Sequence, residues 1–221
     1  MVAFLLVPGA GGDATYWSEL VPRLTTGGHE AIAVDIAEDN PALGLPEYAT
    51  IVSNAADGRR EVVLVAQSMG GFTAPMVPVD LRALIFVNAM IPVPGETPGE
   101  WFAATGASQA RREIEQAAGR GPDFDAEWSF LHDVPADVLP RLAPSREPAD
   151  TPFGQPCTFT AWPDVPTHVV VGRDDRFFPA DLQVRVARER LGLEPRVVPG
   201  GHLLALANAA GLAAVLLDTA G

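Results

Sequence analysis

Lysine is missing from this chain of 221 residues: all 15 basic residues are arginines, so any mechanism that needs a lysine amine is excluded. Cysteine occurs once, at Cys157. No disulfide can close within the chain, and the cysteine count gives no sign of an oxidising compartment. Long apolar runs are missing too, since nothing approaches the ~18 to 20 residues of a transmembrane helix. The run from Val2 to Val7 lacks a basic leader and ends in Pro8 and a glycine cluster, so it reads as a buried strand and not as a signal peptide. A cytoplasmic protein is the resulting expectation. Positive charge is scarce: net charge is −13, which repels nucleic acid and anionic membranes at long range and favours a small, neutral substrate. Whether the chain forms a homodimer is left open. The apolar fraction of 48% and charged fraction of 19% are those of an ordinary globular chain, and the length suits one domain.

Short runs rich in Val, Ile, Leu and Phe alternate with helical patterns, as in a mostly parallel sheet with helices on both faces. The predicted strands are Ala3 to Val7, Ala31 to Asp35, Val62 to Ala66, Ala83 to Asn88, His168 to Gly172 and Arg196 to Pro199. Between the first two, Trp17, Leu20, Val21 and Leu24 follow helical spacing and Gly27-Gly28 supplies the stop. Pro179 opens a later helix that Gly192 ends, and a last helix is expected from about Leu203 to Leu217. Twelve of the 21 prolines lie from Pro92 to Pro166, together with Trp101, Phe102, Trp128, Phe130 and Trp162. That segment, residues 92–165, reads as a helical cap inserted into a single domain whose core is 1–91 and 166–221.

The stretch Val62 to Ala66, then Gln67-Ser68-Met69-Gly70-Gly71, puts a serine at a sharp strand-to-helix turn. Such an elbow needs small residues two before and two after the serine, here Ala66 and Gly70, and it leaves the next amide, that of Met69, facing the same space. A serine needs a base, and four histidines are available. His29 sits in a glycine turn before a strand, His168 starts a strand at the opposite edge, and His132 lies in the cap beside Asp133. His202 follows Pro199-Gly200-Gly201 after the final strand, where a glycine turn can swing an imidazole over the sheet's carboxyl edge. The strand ending at Gly172 runs into Arg173-Asp174-Asp175-Arg176, so two carboxylates stand at that edge to orient the base. Pro8-Gly9-Ala10-Gly11-Gly12 ends the first strand, and the amides of Ala10 and Met69 are the candidate oxyanion donors. The cap aromatics suggest an apolar pocket, with Trp101, Phe102, Trp128 and His132 as its candidate substrate contacts.

With these residues located, the sequence resembles the α/β-hydrolase superfamily, in particular its small branch of esterases, methylesterases and hydroxynitrile lyases. The likeness rests on the glycine turn before Tyr16-Trp17, the Gly28-His29 to Asp35 strand, Ala66 to Gly71, Gly172 to Pro179 and Gly200-Gly201-His202, in that order along the chain. The resemblance implies an α/β-hydrolase fold, a helical cap, no cofactor and ester or thioester chemistry with Ser68 as nucleophile, His202 as base and an acid three residues beyond the strand-closing glycine, which is Asp175. Leaving the sheet plane through Gly172 and Arg173 gives a physical reason for the same choice, with Asp174 expected in solvent or paired to a nearby arginine. Three departures stand out: Pro8 where the family usually has histidine, Ala66 for the first glycine of the elbow, and a start directly at the first strand, so that the family's early antiparallel strands are expected to be absent or reduced.

Four other readings compete. Gly9-Ala10-Gly11-Gly12-Asp13-Ala14 fits a dinucleotide fingerprint, with Asp35 about 20 residues on; the missing lysine argues against a short-chain dehydrogenase, and the order Ser, Asp, His at three later strand ends would go unexplained. A hydroxynitrile lyase of this branch would carry a pocket lysine. A non-catalytic ligand receptor, or a cofactor-free lyase or cyclase, would share the scaffold, because fold does not dictate substrate.

Overall fold

The computed structural model describes residues 1–144 and 146–220. Its sheet has six strands, β1 (Ala3–Val7), β2 (Glu30–Ala33), β3 (Val62–Gln67), β4 (Leu81–Val87), β5 (Thr167–Gly172) and β6 (Arg196–Val198). All pairings are parallel, in the order β2-β1-β3-β4-β5-β6. Successive side chains on a strand point to opposite faces, so the continuous apolar runs feed two cores. Leu5, Val7, Leu64, Ala66, Leu84, Phe86 and Val171 face one, and Phe4, Leu6, Val63, Val65, Ile85, Val87 and Val170 face the other. Burying each such large side chain contributes about 1.5 to 3 kcal/mol before entropy is counted.

Helices α1 (Val21–Thr26), α2 (Leu45–Ala56), α3 (Gly70–Thr73), α4 (Pro98–Thr105), α5 (Ala107–Ala117), α6 (Ala180–Leu191), α7 (Leu204–Ala207) and α8 (Ala209–Ala220) complete the chain. α2 and α6 pack on the first core through Tyr48, Val52, Leu182, Val186 and Ala187. α1, α7 and α8 pack on the second through Leu24, Leu204, Leu212 and Leu216. Helices therefore cover both faces.

Several boundaries differ from the sequence expectation for local reasons. β2 stops at Ala33 and not Asp35, because the next donor in its ladder with β1 would be the nitrogen of Pro8, which carries no hydrogen. The helix expected from Leu203 to Leu217 is two helices. Asn208 interrupts it at φ −145°, accepting from the Gly211 amide at 3.0 Å through Oδ1 and donating to the Pro199 carbonyl at 2.8 Å. α2 was not foreseen, although Pro46 in its first turn and the Glu47 carboxylate accepting from the Gly44 amide at 2.9 Å are ordinary helix-start signals.

Between β4 and β5, residues 92–165 hold α4, α5, a π-helical turn at Glu127–Leu131 and two single turns of 3₁₀ helix. α4 starts with a capping box: Thr97 Oγ1 accepts from the Glu100 amide and Glu100 accepts from the Thr97 amide. Beyond α5 the closely spaced prolines remove backbone donors, and among the described residues of 118–165 no helix exceeds five residues.

Candidate active site

A parallel sheet brings the carboxyl ends of its strands to one edge, and the chain order reverses between β1 and β3. Loops diverge at such a switch point and leave a crevice. Ser68 sits there, directly after β3, with φ +49°, a left-handed conformation that costs a non-glycine residue about 1 to 3 kcal/mol. The turn is held by its own carbonyl, which accepts from the Gly71 and Met90 amides at 3.1 and 3.0 Å. Close approach explains the glycines around it: a Cβ on Gly9 would lie 2.5 Å from Ser68 Cβ, and one on Gly70 would lie 2.6 Å from the Pro8 carbonyl.

His202 Nε2 lies 3.1 Å from Ser68 Oγ, and His202 Nδ1 lies 2.8 Å from Asp175 Oδ2. His202 and Asp175 are buried, and Ser68 is 8% exposed. Asp175 Oδ1 accepts from the Phe177 and Phe178 amides, both at 2.8 Å, and Oδ2 also accepts from Gln183 Nε2 at 3.0 Å. With the imidazole, that makes four donors for the four acceptor positions of one carboxylate. An oxygen that accepts from Nδ1–H fixes the tautomer and leaves the Nε2 lone pair for the Ser68 hydroxyl. The rings of Phe130, Phe177 and Phe178, with centroids 5.1 to 5.2 Å from that of His202, shield the imidazole from water.

The loop that carries His202 is braced from three directions. Asn88, at φ +46° just after β4, donates through Nδ2 to the Gly201 and His202 carbonyls at 2.9 and 3.0 Å. Its Oδ1 accepts from the Gly172 amide at 2.6 Å. Asp133 accepts from the Gly201 amide at 2.6 Å, and Asp174 accepts from the Gly200 amide at 3.0 Å while pairing with Arg173 at 3.1 Å. That arginine holds the Asp174 carboxyl below the usual range. The sequence reading missed Asn88 and Gln183. A polar residue closing a fully buried strand was the available signal for Asn88; nothing in the sequence singles out Gln183.

Ala10 and Met69 face the same crevice as Ser68. Among the described residues, no protein acceptor takes a hydrogen bond from either amide. Gly11 instead donates to Glu38 Oε2 at 2.6 Å. The dinucleotide reading of this turn fails on Asp13, whose carboxylate occupies the Thr15 amide at 2.6 Å and introduces only a single 3₁₀ turn, so no free helix N-terminus faces a pyrophosphate. Among the described residues no group of three or more His, Cys, Asp or Glu side chains forms a metal cluster, and no helix is long and apolar enough to cross a membrane.

A model of the alpha/beta hydrolase family matches residues 4–215. The chain belongs to that family. It is 26% identical to Methylesterase 3 of Arabidopsis thaliana over 162 residues, 65% of this chain and 61% of the plant protein. Its fold is that of a pyrethroid hydrolase from Sphingobium faniae, with a TM-score of 0.77 at 19% identity over 99% of this chain and 97% of that one. A methylesterase structure from Arabidopsis is similar at a TM-score of 0.75 and 18% identity, covering 100% of this chain and 99% of that one.

In this α/β-hydrolase, Ser68 and His202 open into a cavity of about 690 Å³ walled by the β1 loop and by the 92–165 insertion. Of the four candidate substrate contacts, Phe102 reaches the cavity and three do not. Trp101 is 2% exposed, donates its indole N–H to the Ile91 carbonyl at 3.1 Å and packs on Phe178, so it belongs to the core. Trp128 is turned away, with the guanidinium carbons of Arg120 and Arg176 at 5.1 and 4.7 Å from its ring. His132 packs against Gly201 beside Asp133 and braces the His202 loop from outside the cavity. Phe124, Phe130, Phe153 and Phe177 line the cavity in their place. Phe130→Ala is accordingly expected to raise KM for bulky esters about tenfold, and Trp128→Ala to change it less than about threefold. Steady-state kinetics on a short and a bulky ester measures both.

Burial moves the titrations of Cys157 and Glu38 strongly. Cys157, whose thiol donates to the Phe72 carbonyl, is pushed up to about 12 by burial and is an unreactive core residue. Glu38 is 1% exposed and burial raises its pKa to about 8, against the opposing pull of the Gly11 amide and Arg146. The folded protein thus holds a proton on Glu38 where the unfolded chain, at about 4.5, has lost it. Folding takes up that proton, so the contribution to stability is full below the unfolded pKa, declines as pH rises from there and is lost once pH passes the folded value of about 8. Thermal melts from pH 5 to 9.5 are expected to show wild-type Tm falling relative to Glu38→Gln over that interval. Parallel curves would remove this role from Glu38.

Proposed function

We propose that the protein is a serine esterase acting on small carboxylic esters or thioesters with an apolar acyl or alcohol group. The observation that carries this reading is the Ser68–His202–Asp175 relay, at 3.1 and 2.8 Å, opening into an aromatic-walled cavity. In the first half-reaction Ser68 Oγ attacks the ester carbonyl carbon while its proton passes to His202 Nε2. The carbonyl oxygen gains the negative charge, and the amides of Ala10 and Met69 donate to it, each worth about 3 to 4 kcal/mol in such a site. Collapse of the tetrahedral adduct breaks the bond to the alcohol oxygen or thiol sulfur. The leaving group takes the proton from His202, and the acyl group stays on Ser68. Water then repeats the sequence, with His202 accepting its proton, and the carboxylic acid leaves.

The names of the relatives, methylesterase and pyrethroid hydrolase, are consistent with ester cleavage. In this reading the 92–165 insertion acts as the cap that sets substrate choice, and the protein works without a cofactor. Intact-protein mass spectrometry after a fluorophosphonate probe, followed by an ester and thioester panel, tests the proposal. One adduct on Ser68 together with multiple turnovers is the expected result. Folded protein that takes no label, or takes it elsewhere, would overturn the nucleophile; labelling without turnover would favour a ligand receptor.

A further inference from the structure

Arg111, on α5, is a cation set among phenyl rings in the wall of the cavity that Ser68 faces. Its guanidinium carbon is 4.9 Å from the Phe124 ring centroid and 5.8 Å from that of Phe177. The side chain is 23% exposed, and its Nε forms an ion pair with the buried Glu115 carboxylate at 3.4 Å, too poorly aligned for a hydrogen bond. Among the described residues, no acceptor takes a hydrogen bond from this guanidinium. Glu115 balances the charge on one side, and the two terminal nitrogens, with no protein acceptor among the described residues, keep N–H donors free for a planar anion. The other charged groups of the wall have no comparable set of free donors. Arg146 donates to the Ile36 carbonyl and pairs with Asp35, Glu147 is its immediate neighbour, and Asp13 is held by Thr15.

We propose, resting on the esterase reading above, that Arg111 receives a carboxylate at the far end of the acyl chain. The substrate class is then the half-esters of dicarboxylic acids. Phe177 sets the length, because the same ring that lies 5.8 Å from the guanidinium carbon lies 5.1 Å from the imidazole of His202. A chain of a few methylenes over Phe177 would join the two ends. The net charge of −13 disfavours an anion at long range, but exposed charges are screened beyond about 8 to 10 Å in physiological salt, and a cation in direct contact outweighs them.

The test compares kcat/KM for the monomethyl and dimethyl esters of the series from succinate to suberate, using wild-type, Arg111→Gln and Arg111→Lys proteins. Wild type is expected to prefer the half-ester at one chain length and to lose that preference as salt rises. Arg111→Gln should lower kcat/KM for the half-ester roughly 10- to 100-fold more than for the diester, mainly through KM, and Arg111→Lys should restore part of the difference. Equal losses on both esters, or a wild-type preference for the diester at every length, would overturn the proposal. Calorimetry of monomethyl adipate with Ser68→Ala protein, with and without Arg111→Gln, separates this from the esterase reading. If no ester turns over and Ser68 takes no fluorophosphonate, the esterase reading fails. Binding that Arg111→Gln weakens at least tenfold still supports the anion site, and binding that is absent or unaltered overturns it.

Discussion

Alanine at Ser68 or at His202 is expected to lower kcat for ester hydrolysis by roughly 10⁴ to 10⁶, and the double variant is expected to be little worse than either. In the proposed mechanism the two groups act as one unit: without the hydroxyl the imidazole has nothing to deprotonate, and without the imidazole the hydroxyl stays protonated. Their 3.1 Å contact is the structural basis. The rate that remains above water would come from the Ala10 and Met69 amides and from binding in the cavity. Ser68 carries no structural duty beyond its turn, which its backbone holds, so circular dichroism and melting of Ser68→Ala should match wild type. A double variant slower than either single by a further factor of about 10³ would mean that the two residues do not share a step.

Asp175→Asn should cost about 10⁴ in kcat, and Asp174→Asn less than about tenfold. The first value follows from counting donors. Asparagine offers one oxygen and one NH₂. The Phe177 and Phe178 amides both donate to the Oδ1 position, so the oxygen must stay there and the NH₂ must take the Oδ2 position. It then faces His202 Nδ1, which can only accept from it, and the hydrogen moves to Nε2 on the side of Ser68. The imidazole becomes a donor where a base is needed. Gln183 cannot repair this, because its own amide N–H₂ group already points at that position and is anchored on the Phe178 carbonyl. Asp174 differs in kind: asparagine keeps an oxygen for the Gly200 amide and loses only a half-exposed pair with Arg173, worth at most about 1 kcal/mol. Pre-steady-state acylation rates on one activated ester measure both variants, and the reverse order would reassign the acid to Asp174.

The parallel α/β sheet could be read from sequence because its central strands are short, nearly continuous apolar runs, and burial on both faces leaves no alternation to misread. Ser68 was equally legible, since an elbow tolerates only small neighbours at Ala66 and Gly70 and needs glycines where chains approach. His202 followed from the shortage of histidines and from Gly200-Gly201. These are local constraints, imposed by backbone geometry over a few residues, and so they leave a mark in the order of amino acids. Pocket membership leaves none. Trp101, Trp128 and Phe130 look alike as cap aromatics, and only the path of an irregular, proline-rich segment put Trp101 in the core, Trp128 under two arginines and Phe130 beside the imidazole. The same holds for Asn88, Gln183, Glu38 and Arg111, whose partners are distant in sequence or on another turn of chain. The sequence by itself determined the sheet, its edge and the Ser, Asp and His placed along it, through short-range steric rules. Tertiary packing alone decided which side chains brace that edge, which wall the cavity and where a guanidinium meets the phenyl rings of that wall, because those depend on contacts that no local pattern encodes.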